Sequence, residues 1–261
     1  MLLRRITTHV RAQNWFAVGL DFIIVVLGVA IAMMAQEWLS DRQRQEDMRL
    51  AEAAIERDLL VNYFHAKERA ALSACRIEAI QNVSEKLLEP TPKWTGLPRP
   101  EENDPNLNQA MPALLRSPSR GWGSRSWQAE LARGTFNDME NDRRSSIDQI
   151  FEQSRRAEAL QTGIWDLQGR LKTLALSTTI DPSDRLRYLD MLGELDVKSA
   201  VLEHMAGQMI VSIEALDLNH ESIVASFDTT DLVAFNAAAQ GIYGDCYAPI
   251  EFPGLGTRDT P

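Results

Sequence analysis

Hydrophobic positions follow two patterns along this chain. The first is a block. Residues 22–35 carry no polar side chain, and residues 15–38 hold one formal charge, Asp21, before Glu37. Read as a helix, Trp15 and Trp38 would stand roughly 34 Å apart at ~1.5 Å per residue. That slightly exceeds the ~30 Å hydrocarbon core of a bilayer, which puts an indole at each interface. The block predicts one transmembrane helix over 15–38, with Trp15 and Trp38 as interface anchors.

The second pattern is helical periodicity, and it fills most of the chain beyond Trp38. Residues 39–88 contain neither Pro nor Gly. Ile55, Leu59, Ala66, Ala70, Ile77, Ile80 and Leu87 recur at steps of three and four or their sums, and Leu60, Phe64, Leu72, Cys75 and Val83 widen the stripe. This predicts one long helix, a polar stalk up to about Met48 and then the first bundle helix. Residues 89–125 break the pattern: seven of the eleven prolines lie between Pro90 and Pro118, and no helix persists through that spacing. Trp94 and Trp122 stand where they could pin this Pro-rich loop.

Residues 126–250 supply the remaining helices. SWQAELAR ends in Gly134, a C-cap signal. From 137 to about 176 one face carries Ile147, Ile150, Phe151, Ala157, Leu160, Ile164, Leu167, Leu171 and Leu174. TTIDPS (178–183) offers Asp181 as a cap and Pro182 as a first helical residue. From 183 to 217 the expected core positions are Leu186, Leu189, Leu192, Val197, Val201, Met205, Met209, Ile213 and Leu216, with a bend at Gly193. A short helix is expected over 228–240, and 251–261 reads as a disordered tail. The fold class is therefore all-α: an N-terminal transmembrane helix continuing into an extracytoplasmic antiparallel helical bundle.

Charge gives the block an orientation. Residues 1–14 hold Arg4, Arg5, Arg11 and His9 and no acid, with Leu2, Leu3, Ile6 and Val10 at helical spacing. This is a basic amphipathic arm, or the start of the membrane helix, and it favours a cytoplasmic N-terminus. The main domain then lies outside the cytoplasm. The rival reading is a cleaved signal peptide with a small-x-small site at Ala30-Ile31-Ala32, but the apolar run continues past that site. A net charge of −10 argues against a nucleic-acid partner.

Two cysteines, Cys75 and Cys246, suggest one disulfide in an oxidising compartment, stapling the tail to the first bundle helix. The alternative is two separate buried thiols. Asp21 is costly within an apolar span. It either reaches the headgroups or caps the helix, or else it meets a partner helix, for which Gly28 and Ala32 make a small-xxx-small face.

The opening segment also resembles a family of uncharacterised bacterial single-pass membrane proteins. The resemblance rests on QNWFAV (13–18), LDF (20–22), the G-V-x-I run (28–31) and Trp38, and more loosely on SWQAELARG (126–134). It implies a bacterial inner-membrane location with a periplasmic domain, and it brings no activity. Met34 departs from the family, whose members usually carry Gln there.

Signals of catalysis are absent from the sequence. His9, His65, His204 and His220 form no HExxH or Cys/His metal spacing, and there is no G-x-S-x-G. Gly121-Trp122-Gly123 lacks the remaining parts of a phosphate loop. No cofactor is expected. The partners are the lipid bilayer and, through the membrane helix, a second copy or another membrane protein. The expectation is a binding, sensing or assembly module and not an enzyme. The alternative is an envelope enzyme with an unrecognised site between the helices.

Overall fold

A computed structural model describes residues 15–98, 112, 117–118, 120–216, 218 and 229–251. The basic arm (1–14) and the tail beyond 251 lie outside the described residues. The described residues form six α-helices: α1 (Trp15–Ala70), α2 (Ser73–Leu88), α3 (Arg125–Arg133), α4 (Asn141–Leu171), α5 (Pro182–Glu214) and α6 (Thr229–Tyr243). Two short strands, β1 (Lys93–Trp94) and β2 (Thr178–Thr179), pair antiparallel with Trp94 opposite Thr178. The chain divides into two compact units, Met1–Glu52 and Ala53–Pro261.

In the first unit the described residues all belong to α1. One helix near the N-terminus is long and apolar enough to cross a membrane, with a mean hydropathy of 2.5 over its best window and none of that window buried. After Trp38 the surface turns mostly polar, with Leu39 and Leu50 as exposed apolar exceptions. The Arg42 guanidinium lies 5.3 Å from the Trp38 ring centre, and Asp41–Arg44 and Glu46–Arg49 pair one turn apart at 2.8 and 2.7 Å. Such exposed pairs are screened by solvent and add little to stability.

The second unit is built on heptad stripes. In α1 the buried line is Ile55, Leu59, Asn62, Ala66 and Arg69. In α4 it runs from Ile147 through Ile150, Ser154, Ala157, Gln161, Ile164 and Gln168 to Leu171. In α5 it is Arg185, Leu192, Leu195, Ser199, Leu202, Ala206, Met209 and Ile213. Alternating steps of three and four keep each stripe on one face, as in coiled-coil packing. The most extensive helix pairing among the described residues is α4 on α5, followed by α2 on α5. Ala157, Ile164, Leu171, Leu192, Leu202 and Met209 are fully buried at its centre.

The long helix expected over 39–88 is broken at Ala71 and Leu72, without Pro or Gly. The Ala71 and Leu72 N–H groups still donate back to the Lys67 and Arg69 carbonyls, while the next carbonyls find other partners, one distant and one local. The Ala71 carbonyl accepts the Ala248 amide at 3.1 Å, and Ser73 Oγ donates to the Ala70 carbonyl at 3.1 Å. The expected α5 core is also corrected: Leu186, Val197 and Val201 are 68%, 63% and 44% exposed. The true stripe is offset from theirs and includes Arg185 and Ser199. The helix runs through Gly193 without interruption. Gly134 does end α3, in the left-handed conformation (φ 75°) that favours glycine. Pro182 begins α5, after Asp181.

Candidate functional site: a buried polar seam

The apolar stripes of α1 and α4 are interrupted by polar residues, and these meet the chain that precedes α3. Asn62 is fully buried. Its amide donates to the Gly123 carbonyl at 2.7 Å and accepts from the Gly123 N–H at 2.8 Å, so one side chain satisfies both backbone polar groups of Gly123. The same amide nitrogen donates to Ser154 Oγ at 2.9 Å. One residue back, the Trp122 N–H donates to Glu158 Oε2 at 2.8 Å. Further along, Gln168 Nε2 donates to Ser117 Oγ at 2.9 Å. The end of the Pro-rich loop is thus held between α1 and α4 by side chains that a purely apolar stripe would lack.

Two arginines lie at the middle of the seam. Arg120 pairs with Glu68 through two hydrogen bonds of 2.8 and 3.0 Å, and this pairing holds its guanidinium charged more firmly than usual. Arg69 is 4% exposed and donates to the Pro118 carbonyl at 3.0 Å and to Gln161 Oε1. Burial lowers its pKa to about 10, against the opposing pull of Glu203 and Glu68. His65, one turn before Arg69, packs edge-on against Trp122 at 6.0 Å. Burial and then the Arg120 charge push its pKa down to about 4, only partly offset by a hydrogen bond to the Gly121 backbone. His65 is a neutral imidazole at pH 7.

The seam is closed over by residues 229–251. Phe235 of α6 meets Phe64 edge-on at 4.6 Å and takes the Arg120 guanidinium on its face at 5.7 Å. Tyr247 is buried, which pushes its hydroxyl up to about 12. Asn236 repeats the device of Asn62: its amide donates to the Ile250 carbonyl at 3.1 Å and accepts from the Ile250 N–H at 3.0 Å. It also accepts the Tyr247 hydroxyl at 2.5 Å. Cys246 is disulfide-bonded to Cys75, with Cα atoms 5.2 Å apart.

Four buried atoms in the seam have no hydrogen-bond partner among the described residues: His65 Nδ1, Arg69 Nε, Trp122 Nε1 and Gln161 Nε2. Elsewhere a second buried arginine, Arg185, caps α2 and its exit by donating to the carbonyls of Leu87 at 2.9 Å, Glu89 at 3.0 Å and Thr91. A cleft of about 450 Å³ beside it is bordered by Val83, Glu85, Lys86, Glu89 and Leu97. Among the described residues no group of three His, Cys, Asp or Glu side chains is placed to hold a metal ion.

Of the residues singled out by sequence, Cys75 and Cys246 come together. Asp21, Gly28 and Ala32 lie exposed on α1, with no described atom within 4 Å of the place a Gly28 Cβ would occupy. Trp38 is exposed, and the Trp15 side chain lies outside the described residues. Trp94 and Trp122 are both buried, and Trp94 Nε1 donates to the Leu174 carbonyl at 2.9 Å. His204 hydrogen-bonds Gln208, while His9 and His220 lie outside the described residues. The residues of the seam were missed because they are polar: Asn62, Arg69, Ser154, Gln161 and Gln168 occupy core positions by spacing alone.

No protein-family model, no curated protein and no solved structure matches this chain.

Proposed function

We propose that the chain is a membrane-anchored helical module that acts by binding or assembly and not by catalysis. Residues 15–38 cross a bacterial inner membrane with the N-terminus in the cytoplasm and the helical domain in the periplasm. The observation that carries the reading is the fully exposed apolar window of α1, which a water-soluble protein would bury. The disulfide supports a domain outside the cytoplasm, since such bonds persist in oxidising compartments. Support for binding over catalysis comes from how the seam uses its groups. Both oxygens of Glu68 bond to Arg120, and both ends of the Asn62 amide bond to Gly123. These side chains are committed to holding the loop in place. Recognition then falls to the outer surface of the domain and, within the bilayer, to the face carrying Asp21, Gly28 and Ala32, which suits a second copy or another membrane protein.

Fractionation of cells expressing the full chain tests the anchor. The protein should resist alkaline carbonate extraction and dissolve in detergent, and a variant lacking residues 15–38 should become extractable. Release of the full chain by carbonate would contradict the reading. Photo-crosslinking from position 21 tests the membrane contact, which a lipid-only adduct pattern would rule out.

A further inference from the structure

We propose that the Cys75–Cys246 disulfide is a thiol-exchange site that latches residues 229–251 over the polar seam, and that a dithiol reductant opens it. Three observations carry this. First, the strap is hydrogen-bonded within itself. Asn236 ties α6 to Tyr247 and Ile250, and Gln240 Nε2 donates to the Gly244 carbonyl at 2.8 Å. Second, it is shallowly held. Of the described side chains in α6 only Ala239 is buried, and Ala239, Tyr247 and Ile250 are not part of the central core of α2, α4 and α5. Segments with little burial open locally at low cost while the core stays closed. Third, the two cysteines are unequal. Cys246 is exposed, in a 3-10 turn that starts at Gly244 (φ 59°), whereas Cys75 belongs to the first turn of α2.

That inequality sets the direction of exchange. An incoming thiolate attacks Sγ of Cys246, the more exposed residue of the two, and forms a mixed disulfide there. The Cys246–Cys75 bond breaks and its electron pair leaves on Cys75 Sγ, where the helix N-terminus favours a thiolate. The second thiol of the reductant then attacks its own sulfur in the mixed disulfide and frees Cys246. The dithiol ends as a disulfide, and the two cysteines have gained two electrons and two protons. With the bond gone, the ties retained by the strap include the Ala248 amide on the Ala71 carbonyl and Phe235 on Phe64 and Arg120. Its departure uncovers Phe64 and the Arg120–Glu68 pair.

The test uses the full chain in detergent, before and after dithiothreitol, followed by amide hydrogen exchange and far-ultraviolet circular dichroism. Exchange in residues 229–251 should rise about tenfold or more on reduction, while α4 and α5 keep their protection and helical content stays the same. A Cys75→Ser/Cys246→Ser double variant should match the reduced protein without reductant. Brief treatment with glutathione, then alkylation and peptide mapping, should place the adduct on Cys246. Unchanged exchange in the strap would overturn the proposal, because the noncovalent ties would then suffice. Loss of the helical signal would overturn it too, by making the bond a staple of the whole fold. So would an adduct confined to Cys75, or two free thiols in the untreated protein.

Discussion

Asn62 shows most directly what a single side chain does in this molecule. It is fully buried, and it bonds both backbone polar groups of Gly123. Replacing it by Leu keeps the bulk and strips an N–H and a C=O of their partner, which costs about 1–3 kcal/mol. Urea unfolding of Asn62→Leu should show that loss, and an unchanged midpoint would mean the segment is held in some other way. His65 gives a pH-dependent counterpart. Its folded pKa of about 4 lies below the ~6.5 of an unfolded chain. Above pH ~6.5 the imidazole is neutral in both states and its contribution is complete. As pH falls from there toward 4 the unfolded chain takes up the proton first, so stability drops on the order of 1 kcal/mol per pH unit. His65→Gln should flatten stability between pH ~6.5 and ~5, a window above the ordinary carboxylate range. A variant that keeps the slope would place its origin elsewhere. These residues were legible only in part. A stripe read for apolar side chains passes over Asn62, Arg69, Ser154, Gln161 and Gln168, yet their three-and-four spacing puts each in line with the core. Spacing carried the signal that residue type concealed.

Elements were more legible than residues, because helix boundaries follow local chemistry. Gly134 and Pro182 mark a helix end and a helix start, as their backbone preferences require. Where boundaries depend on distant partners, local chemistry says nothing. The break at Ala71 and Leu72 has no helix-breaking residue and coincides with the docking of Ala248. The buried face of α5 was hidden for the same reason as the seam, since Arg185 and Ser199 occupy its stripe while Val197 and Val201 face outward. Arg185 also accounts for how α2 ends against β1, by capping three exit carbonyls. Arg185→Met keeps the aliphatic stem and removes the cap. Exchange should rise in residues 85–98 with a stability loss of about 1–3 kcal/mol, the range for buried groups left unpaired. Exchange that stays at the parent level there would show the cap to be dispensable.

At the scale of the whole chain, two kinds of interior are at work. The centre of the second unit is largely apolar and heptad-packed, whereas the seam at its side is polar, imperfectly satisfied and covered by a strap whose helix has one buried residue, Ala239, among its described side chains. In the first unit the apolar window of α1 is exposed throughout, and that helix is long and apolar enough to cross a bilayer. The long apolar helix near the N-terminus and the all-α class were readable from the sequence because both rest on long runs of one pattern. Of the cover over the seam only the Cys75–Cys246 staple, 171 positions apart, was readable; the seating of Phe235 on Phe64 and Arg120 and of Ala248 on Ala71 depends on partners more than 100 positions away. The central claim is that residues 15–38 anchor the chain and leave its helical domain outside the cytoplasm. Paired reporters fused after Pro261, one active only in the periplasm and one only in the cytoplasm, test this most directly. Activity from the periplasmic reporter and silence from the cytoplasmic one are expected, and the reverse pattern would contradict the claim.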